Sequence, residues 1–315
     1  MRIALVFPGQ GSQTVGMVQA LREGAGGEVF RAVDRALGED LGALIANGPA
    51  ERLDLTENSQ PAILAASIAI HRRWAERAAE AGLPAPMFFA GHSMGQYSAM
   101  VAAGVLELED AVRLVRERGR LMQASPAGSM AAIIGLDDGR LPELVSIGSA
   151  AGVFTVANRN SPGQVVVSGE VAAVQAATEA AKGLGAKRAI MLPISIAAHS
   201  PLMAAAAEGM REAVARVPFH DPVAPLLANA DARPLTTADD CRSELIDHLT
   251  QGVDWVRAIE VMRVGGVDAF VEVGPGKVLT NLTKRIDPTA TTVVTDDPSA
   301  PDGIADPAAL LEPTE

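Results

Sequence analysis

Met87-Phe88-Phe89-Ala90-Gly91-His92-Ser93-Met94-Gly95 joins a short apolar run to a G-x-S-x-G motif, and an alanine-rich helical pattern follows from Ser98 to Val105. Strand, tight turn and helix in this order are the setting in which G-x-S-x-G forms a nucleophile elbow. The glycines permit a sharp turn that lifts the Ser93 hydroxyl to the end of the strand, at the positive end of a helix dipole. Ser93 is therefore a candidate nucleophile, and the alternative is a buried serine in a purely structural turn.

The chain on both sides of this motif alternates short apolar runs with longer helical patterns, which predicts an α/β fold with a mostly parallel sheet. The expected strands are Ile3–Phe7, Met87–Ala90, Ala224–Ala228, Ala269–Val273 and Thr291–Thr295. The expected helices are Gln60–Ala81, Gly95–Gly104, Leu108–Gln123, Ser200–Arg216 and Val253–Val264. The strands are short and apolar throughout, as in a sheet that is buried on both faces.

Residues 128–194 follow a different order, which is strand, helix, strand, strand, helix, strand. The expected elements are Met130–Leu136, Leu141–Ser149, Phe154–Asn158, Gln164–Ser168, Val171–Leu184 and Lys187–Leu192. This order is typical of a ferredoxin-like subdomain. We therefore predict a catalytic core (1–127 and 195–298) that carries an inserted subdomain (128–194), with a cleft between them and a loosely held tail at 299–315.

Composition excludes several classes of function. The chain has 315 residues, a net charge of −12 and a single cysteine, Cys241. A strongly acidic chain without a concentrated run of Lys and Arg is not expected to bind nucleic acid or an anionic membrane. One cysteine excludes an internal disulfide framework and a cysteine-ligated zinc site, so we expect the protein in a reducing cytoplasm.

A serine nucleophile needs a base, and the chain offers five histidines. His199 follows the predicted exit from the insert directly, which places it at the proposed cleft. The others have expected structural positions: His71 at a solvated helix end, His92 in the elbow facing away from the serine, His220 in a loop, and His248 on the surface of an amphipathic helix. Location favours His199 but does not by itself exclude the others.

The glycine-rich loop Phe7–Gln13 follows the first predicted strand. It is not a dinucleotide fingerprint, because position 14 is a threonine, and the chain contains no P-loop. In an acyl transferase, such a loop would present one backbone N–H to an oxyanion, and the N–H of Met94 would be the second donor. The alternative is a plain tight turn.

Arg118 falls on the apolar face of the predicted helix Leu108–Gln123, three residues after Val115 and four before Met122. Arg116 is expected on the other side of this helix. A guanidinium among apolar side chains keeps its charge and needs an anionic partner. That partner is either a structural carboxylate or a substrate carboxylate held by two hydrogen bonds.

From Ile3 to about Ile286 the chain resembles the malonyl-CoA:acyl carrier protein transacylases. Six motifs recur in the order of that family: Phe7–Gln13, Thr56–Ala62, Gly91–Gly95, Arg118–Gln123, Asn160–Gln164 and Glu272–Leu279. The resemblance implies an α/β-hydrolase-like core with a ferredoxin-like insert. It implies transfer of malonyl from malonyl-CoA to the phosphopantetheine thiol of an acyl carrier protein through a malonyl-serine, without a metal or other cofactor, in a protein we expect to be monomeric.

The resemblance also implies a complete set of site residues: Ser93 as nucleophile, His199 as base, the backbone N–H groups of Gln10 and Met94 as oxyanion hole, Arg118, Gln60 and Asn160 in substrate binding, and the backbone carbonyl of Asp254 in orienting the histidine. Gln96 stands where the family usually has Glu, and Met94 where it usually has Leu. Ile196-Ala197-Ala198 matches neither the usual malonyl nor the usual methylmalonyl signature of polyketide acyltransferases.

Three alternatives stay open. A serine esterase or thioesterase would use the same elbow, with an Asp or Glu as the partner of its histidine. A malonyl transferase of a malonate decarboxylase or polyketide system would share every motif, and a non-catalytic docking module would need none of them. For an acidic carrier protein, docking requires a local basic rim, for which the candidates are Lys182, Lys187, Arg188, Lys284 and Arg285.

Overall fold

The computed structural model describes residues 1–21, 24–297, 299–300 and 303–311. Its strands are β1 Ile3–Phe7, β2 Phe88–Gly91, β3 Ser129–Ile134, β4 Phe154–Ser161, β5 Gln164–Gly169, β6 Arg188–Met191, β7 Leu226–Leu227, β8 Pro234–Leu235, β9 Val253–Asp254, β10 Ala269–Glu272 and β11 Thr291–Val294. Its helices are α1 Gly24–Leu37, α2 Leu41–Asn47, α3 Ala50–Leu53, α4 Thr56–Glu80, α5 Gly95–Ala102, α6 Leu108–Ala124, α7 Leu141–Ala150, α8 Val171–Ala181, α9 Ala204–Val214, α10 Ala238–Asp247, α11 Trp255–Val264 and α12 Val278–Ile286. Short 3-10 turns occupy Gln19–Leu21, Asp138–Arg140, Pro201–Met203 and Pro307–Leu310.

The larger sheet has the strand order β11-β10-β1-β2-β7-β8. All its pairs are parallel except β7 with β8, which confirms the predicted α/β fold with a mostly parallel sheet. Alternate residues of β1 belong to different cores, as the twofold side-chain period of a strand requires. Ile3, Leu5 and Phe7 pack with α4, α5 and α6, whereas Ala4 and Val6 pack with α11 and α12. Burial on both faces explains why these strands are apolar throughout.

A second sheet has the order β6-β3-β5-β4-β9. Its first four strands come from residues 129–191 and pair antiparallel, and α7 and α8 pack on it over a separate apolar core. Its last strand, β9, comes from the other part of the chain and pairs parallel with β4, with Asn158 opposite Val253. The predicted helix Val253–Val264 therefore starts later, at Trp255, because Val253 and Asp254 extend this sheet.

The expectation of a loose tail is wrong for the tail residues that the structure describes, 299–300 and 303–311. Ile304 and Leu310 are buried in the main core, and the carbonyl of Ile304 accepts a hydrogen bond from Arg77 Nη1 at 3.0 Å. Two apolar side chains in a proline- and aspartate-rich segment are enough to hold it against α4. The rest of the predicted tail lies outside the described residues.

In the described part of the chain, no helix is both long enough and apolar enough to span a membrane.

Candidate active site

The elbow is formed by the close approach of three backbone segments. β2 ends at Gly91 and α5 begins at Gly95, with Ser93 between them at a φ of 54°. A Cβ on Gly95 would lie 2.2 Å from the carbonyl oxygen of Phe7, and one on Gly91 would lie 2.1 Å from the nitrogen of Gln96. Only glycine fits at both positions, so the turn is as tight as the motif predicted. The left-handed conformation of Ser93 is a strained one for a residue with a side chain.

Gln96, where the family resemblance leads us to expect a glutamate, uses both ends of its amide inside the fold. Its Oε1 accepts from the N–H of Gly91 at 3.0 Å, and its Nε2 donates to the carbonyl of Leu227 at 2.9 Å. A carboxylate could accept the first bond but could not donate the second. Gln96 therefore ties β2, α5 and β7 together through a neutral side chain.

Ser93 and His199 are in direct contact. Ser93 Oγ lies 2.8 Å from His199 Nε2, and His199 Nδ1 lies 2.7 Å from the carbonyl of His248 and 2.9 Å from that of Gln251. Since a carbonyl only accepts, the ring proton sits on Nδ1, and Nε2 accepts from the serine hydroxyl. Burial, reinforced by the charge of Arg118, lowers the pKa of His199 to about 4, so the ring is neutral at pH 7. A neutral imidazole whose Nε2 carries no proton is suited to act as a base.

The prediction that the carbonyl of Asp254 orients this histidine is wrong. Asp254 instead caps α11, its side chain accepting from the N–H of Arg257 at 2.9 Å. The acceptors come from the turn after α10, whose last carbonyls have no partner within the helix. His248, expected at the surface, is 1% exposed and lies in this turn. Carbonyl groups at the end of a helix have no partner within it, and this is the signal that could have pointed to His248 and Gln251 as the acceptors for His199.

Arg118 reaches the same serine from α6. It is 1% exposed, and its Nη2 donates to Ser93 Oγ at 3.2 Å. Its Nε has no hydrogen-bond partner, and no salt bridge forms between Arg118 and any carboxylate in the described part of the chain. Burial lowers the pKa of this guanidinium. Of the two partners predicted for it, the structural carboxylate is thus not found among these residues.

Arg116, which was expected on the other side of the helix from Arg118, is also buried. It is 6% exposed, and its Nη1 forms a salt bridge with Glu39 Oε1 at 2.6 Å. The prediction considered one apolar face of the helix. In the fold α6 packs against α1, α4, α5 and α9, so side chains on several faces are buried.

The glycine-rich loop lies against the elbow, as a Cβ on Gly9 would be 2.6 Å from the carbonyl oxygen of His92. The side chain of Gln10 donates to Thr56 Oγ1 at 3.4 Å. The backbone N–H groups of Gln10 and Met94 have no acceptor among the residues that the structure describes. Neither N–H group is thus used by the backbone of the described fold.

The two further predicted binding residues occupy different surroundings. Gln60 is fully buried in α4, with its Nε2 3.7 Å from the sulfur of Met122 and its Oε1 without a hydrogen-bond partner among the described residues. Asn160 lies in β4, and its Oδ1 is 2.9 Å from His92 Nε2. Asn160 thus contacts the elbow through His92 and not through Ser93.

The two remaining histidines lie outside this cluster. His71 is not at a solvated helix end, as expected. It lies in the middle of α4 with its ring 6.2 Å from that of Phe7, and burial lowers its pKa to about 4. His220 is exposed, in the loop where it was predicted.

Sequence reasoning missed two residues behind the elbow, Asn229 and Glu244. Asn229 Oδ1 accepts from the backbone N–H of Ser93 at 2.8 Å, and Glu244 Oε1 accepts from Asn229. Asn229 follows β7, the neighbour of β2 in the parallel sheet, so the carboxyl ends of both strands meet at Ser93. A polar residue directly after a buried strand was the available signal for Asn229, and Glu244 had none.

Among the described residues, no group of three or more His, Cys, Asp or Glu side chains could hold a metal ion.

Residues 4–293 match the family model described as acyl transferase domain. The chain is 46% identical to the malonyl CoA-acyl carrier protein transacylase of Escherichia coli K12 over 304 residues, which are 95% of this chain and 97% of the relative. The transacylase of the same name from Bacillus subtilis 168 is 42% identical over 303 residues, 94% of each chain.

Solved structures are similar over the same extent. An acyl carrier protein S-malonyltransferase from Vibrio cholerae superposes with a TM-score of 0.88 at 43% identity, over 93% of this chain and 96% of the other. A malonyl-transacylase in complex with a type II PKS acyl-carrier protein superposes with a TM-score of 0.90 at 38% identity, over 98% of each chain.

Proposed function

This chain belongs to the family of malonyl CoA-acyl carrier protein transacylases, and we propose that it uses Ser93 to move a malonyl group from malonyl-CoA to the phosphopantetheine thiol of an acyl carrier protein in fatty acid biosynthesis. One observation carries the assignment of residues. Ser93 Oγ lies between a neutral histidine nitrogen at 2.8 Å and the guanidinium of Arg118 at 3.2 Å, which has no carboxylate partner among the described residues. A nucleophile, its base and a site for a carboxylate thus meet at one atom.

The first half-reaction forms the malonyl-serine. His199 Nε2 takes the Ser93 proton as Oγ attacks the thioester carbonyl, whose oxygen becomes an anion. The N–H groups of Gln10 and Met94 bind that oxyanion, and each such donor contributes roughly 3 kcal/mol in comparable sites. When the intermediate collapses, the carbon–sulfur bond breaks, the CoA sulfur takes the proton from His199, and an ester on Ser93 remains.

The second half-reaction reverses these steps with a different thiol. His199 takes a proton from the phosphopantetheine thiol, whose sulfur attacks the ester carbonyl in the same oxyanion hole. The carbon–oxygen bond to Ser93 breaks, and Oγ recovers its proton from His199. Exchange of thioester for ester and back requires only a nucleophile and a base, so we propose no cofactor for either step.

Arg118 selects the acyl group. A malonyl carboxylate would pair with the Arg118 guanidinium through charge-assisted hydrogen bonds. An acetyl group would leave the guanidinium buried and without a carboxylate partner. A site built around a polar group discriminates strongly against the analogue that lacks the matching group. Gln60 is a proposed neighbour of the same acyl group, because its Nε2 lies 3.7 Å from the sulfur of Met122, which follows Arg118 by one turn of α6.

The hydrolase alternative would place an Asp or Glu on the histidine. Two backbone carbonyls, of His248 and Gln251, occupy that place here, and this supports the transferase. A type II PKS carrier protein is an alternative acceptor, because one of the similar structures holds such a pair.

We describe residues 1–127 and 195–298 as an α/β-hydrolase-like core and 128–194 as a ferredoxin-like subdomain. The antiparallel order β6-β3-β5-β4, with α7 and α8 packed on it, supports the description as a ferredoxin-like subdomain. We expect the protein to be monomeric and to reside in the cytoplasm.

The carrier protein is proposed to dock on the basic rim. Its residues are Lys182, Lys187, Arg188, Lys284 and Arg285, all exposed. Arg285 Nη1 donates to Gln164 Oε1 at 2.5 Å, so α12 and β5 contribute to one surface. Reversing the charges of Lys284 and Arg285 should raise the KM for the carrier protein and leave acylation of Ser93 by malonyl-CoA unchanged. An unchanged KM would remove this surface from the proposal.

Mass spectrometry tests the function itself. Incubation with malonyl-CoA should add one malonyl group to the peptide that contains Ser93, and adding phosphopantetheinylated carrier protein should remove it with formation of malonyl carrier protein. Ser93→Ala should show no adduct. Absence of the adduct in the wild type refutes the covalent mechanism, and rapid release as free malonate without carrier protein would favour the hydrolase.

A further inference from the structure

A buried chain of hydrogen bonds runs from α10 to the nucleophile. Glu244 Oε1 accepts from both the backbone N–H and the side-chain Nδ2 of Asn229, at 2.8 and 3.1 Å. Asn229 Oδ1 in turn accepts from the backbone N–H of Ser93 at 2.8 Å. Glu244 and Asn229 are each only 4% exposed. The two links between Glu244 and Asn229 are thus buried and the link to Ser93 is partly buried, and an incorrectly oriented polar group is costly in such surroundings.

Glu244 decides which end of the Asn229 amide faces the serine. An amide has a donor end and an acceptor end, and the two have almost the same shape. Because Glu244 accepts from Nδ2, the oxygen must face the Ser93 N–H. Without this acceptor, rotation of the amide would bring its NH₂ group against the Ser93 N–H, where two donors oppose each other. Ser93 would then lose the bond that holds its left-handed backbone in place.

We propose that Glu244 is a positioning residue for the nucleophile and that it acts through Asn229. The inference rests on the proposed function and deepens it. It makes α10 a common support for both partners of the reaction, because the carbonyl of His248, at the end of the same helix, accepts from His199 Nδ1. The side chain of Glu244 holds the serine, and the backbone one turn later holds the histidine.

Glu244 orients Asn229 through its hydrogen-bond acceptor oxygen and not through its charge. Burial raises the pKa of Glu244 to about 7, and the donors of Asn229 partly oppose that rise. Both protonation states are therefore populated near neutral pH, and in both of them Oε1 can accept. A glutamine has the same acceptor without the titration, so it should replace Glu244 in this role.

The experiment measures single-turnover acylation of Ser93 by malonyl-CoA across a range of concentrations. We expect Glu244→Ala to slow acylation at saturating malonyl-CoA by about tenfold, as for the loss of one buried hydrogen bond, with little change in the concentration for half-saturation. Glu244→Gln should recover most of that rate. In the Asn229→Ala background, adding Glu244→Ala should cause no further loss, because the link through which it acts is already absent.

Cys241→Ala is the matched control. Cys241 is buried on the same helix and has no bond to Asn229 in the described structure, so its truncation should reduce stability without slowing acylation. Full acylation in folded Glu244→Ala, failure of Glu244→Gln to recover the rate, or an equal loss in Cys241→Ala would each overturn the inference. Failure of the wild type to form malonyl-Ser93 would instead refute the proposed function, so the two failures are distinguishable.

Discussion

Two arginines of α6, two residues apart, differ in their partners although both are buried. Arg116 is 6% exposed and pairs with Glu39 at 2.6 Å on the side of α6 that faces the C-terminal end of α1. Arg118 is 1% exposed, has no such partner among the described residues, and donates to Ser93 Oγ at 3.2 Å. At 3.6 residues per turn, two positions separate side chains by about 200° around the helix, so the two guanidiniums enter different surroundings.

The difference shows that burial alone does not distinguish a structural arginine from one that awaits a ligand. The desolvation of a guanidinium is unfavourable at both positions, and at Arg116 a carboxylate of the protein offsets it. At Arg118 no carboxylate of the described chain does so, and the charge is held beside the nucleophile. If Arg118 is there to bind substrate, substitutions at the two positions must have separable effects on activity, stability and pH dependence.

The largest effect is expected for Arg118→Ala on malonyl transfer. Removing one partner of a buried, hydrogen-bonded charge pair costs about 3–5 kcal/mol, which is roughly a hundred- to several-thousand-fold in kcat/KM. The loss arises because the malonyl carboxylate would be buried without its partner. The measurement is kcat/KM for malonyl-CoA against that for acetyl-CoA with the same carrier protein.

Arg116→Ala is the control on the same helix, and its ratio of malonyl to acetyl transfer should match that of the wild type. Equal losses for both acyl donors in Arg118→Ala would show that Arg118 supports the fold and not the substrate.

The next effect concerns stability, and it has opposite signs at the two positions. Arg118→Met removes a buried charge without a carboxylate partner and should raise the free energy of unfolding by about 1–4 kcal/mol. Arg116→Met breaks a charged hydrogen bond and should lower it by about 1–2 kcal/mol. Urea unfolding measures both, and the same replacement residue keeps the change in side-chain volume equal. Destabilisation of similar size at both positions would contradict the distinction.

A smaller effect is expected on the pH dependence of the base. His199 has a pKa lowered to about 4, first by burial and then by the charge of Arg118. The base must be neutral to accept the serine proton, so acylation should be constant from neutral pH down to about 5 and fall only as pH approaches 4. Arg118→Met removes a nearby positive charge and should move this fall to higher pH, toward the ordinary value of 6.5.

An activated acetyl ester is the appropriate acyl donor for that comparison, because it has no carboxylate and does not need Arg118. Circular dichroism at each pH confirms that the protein is folded. Arg116→Met should leave the profile where the wild type has it, and an equal shift in both variants would mean that the cause is a change in the fold.

The features that the sequence predicts are those fixed by local requirements. The position of Ser93 was predictable because Gly91 and Gly95 meet a local steric requirement that the motif records. Short strands such as Ile3–Phe7 were predictable because burial on both faces makes them apolar throughout.

What the sequence could not predict depends on contacts between distant segments. Asp254 was the wrong carbonyl because a backbone acceptor has no signature in the side chains, and the turn of His248 and Gln251 supplies it instead. The burial of Arg116 depends on the helices that surround α6, and that of Ile304 on the distant helix α4. Such contacts leave only a weak pattern in the local sequence.

The smallest effect is expected at the partner of Arg116. The Glu39 side chain is 41% exposed, so Glu39→Gln, which removes the charge but keeps an acceptor oxygen, should lower the free energy of unfolding by less than about 1 kcal/mol. Because Glu39 is exposed to solvent, salt should also weaken the contribution of the Arg116–Glu39 salt bridge to the free energy of unfolding. The screening length falls from about 8 Å at physiological ionic strength to about 3 Å at 1 M. The difference between wild type and Glu39→Gln in urea unfolding should therefore shrink in 1 M sodium chloride.

The stabilisation by Arg118→Met should persist under the same conditions, because its cause is desolvation of a buried charge and not an attraction that salt can screen. Different responses to salt would distinguish the two arginines by the physical origin of their contributions to stability, and not only by their effect on activity. If the contribution of Glu39 proved as insensitive to salt as that of Arg118, the two sites would share one dielectric environment, and the contrast between a surface-paired and a substrate-binding arginine would fail.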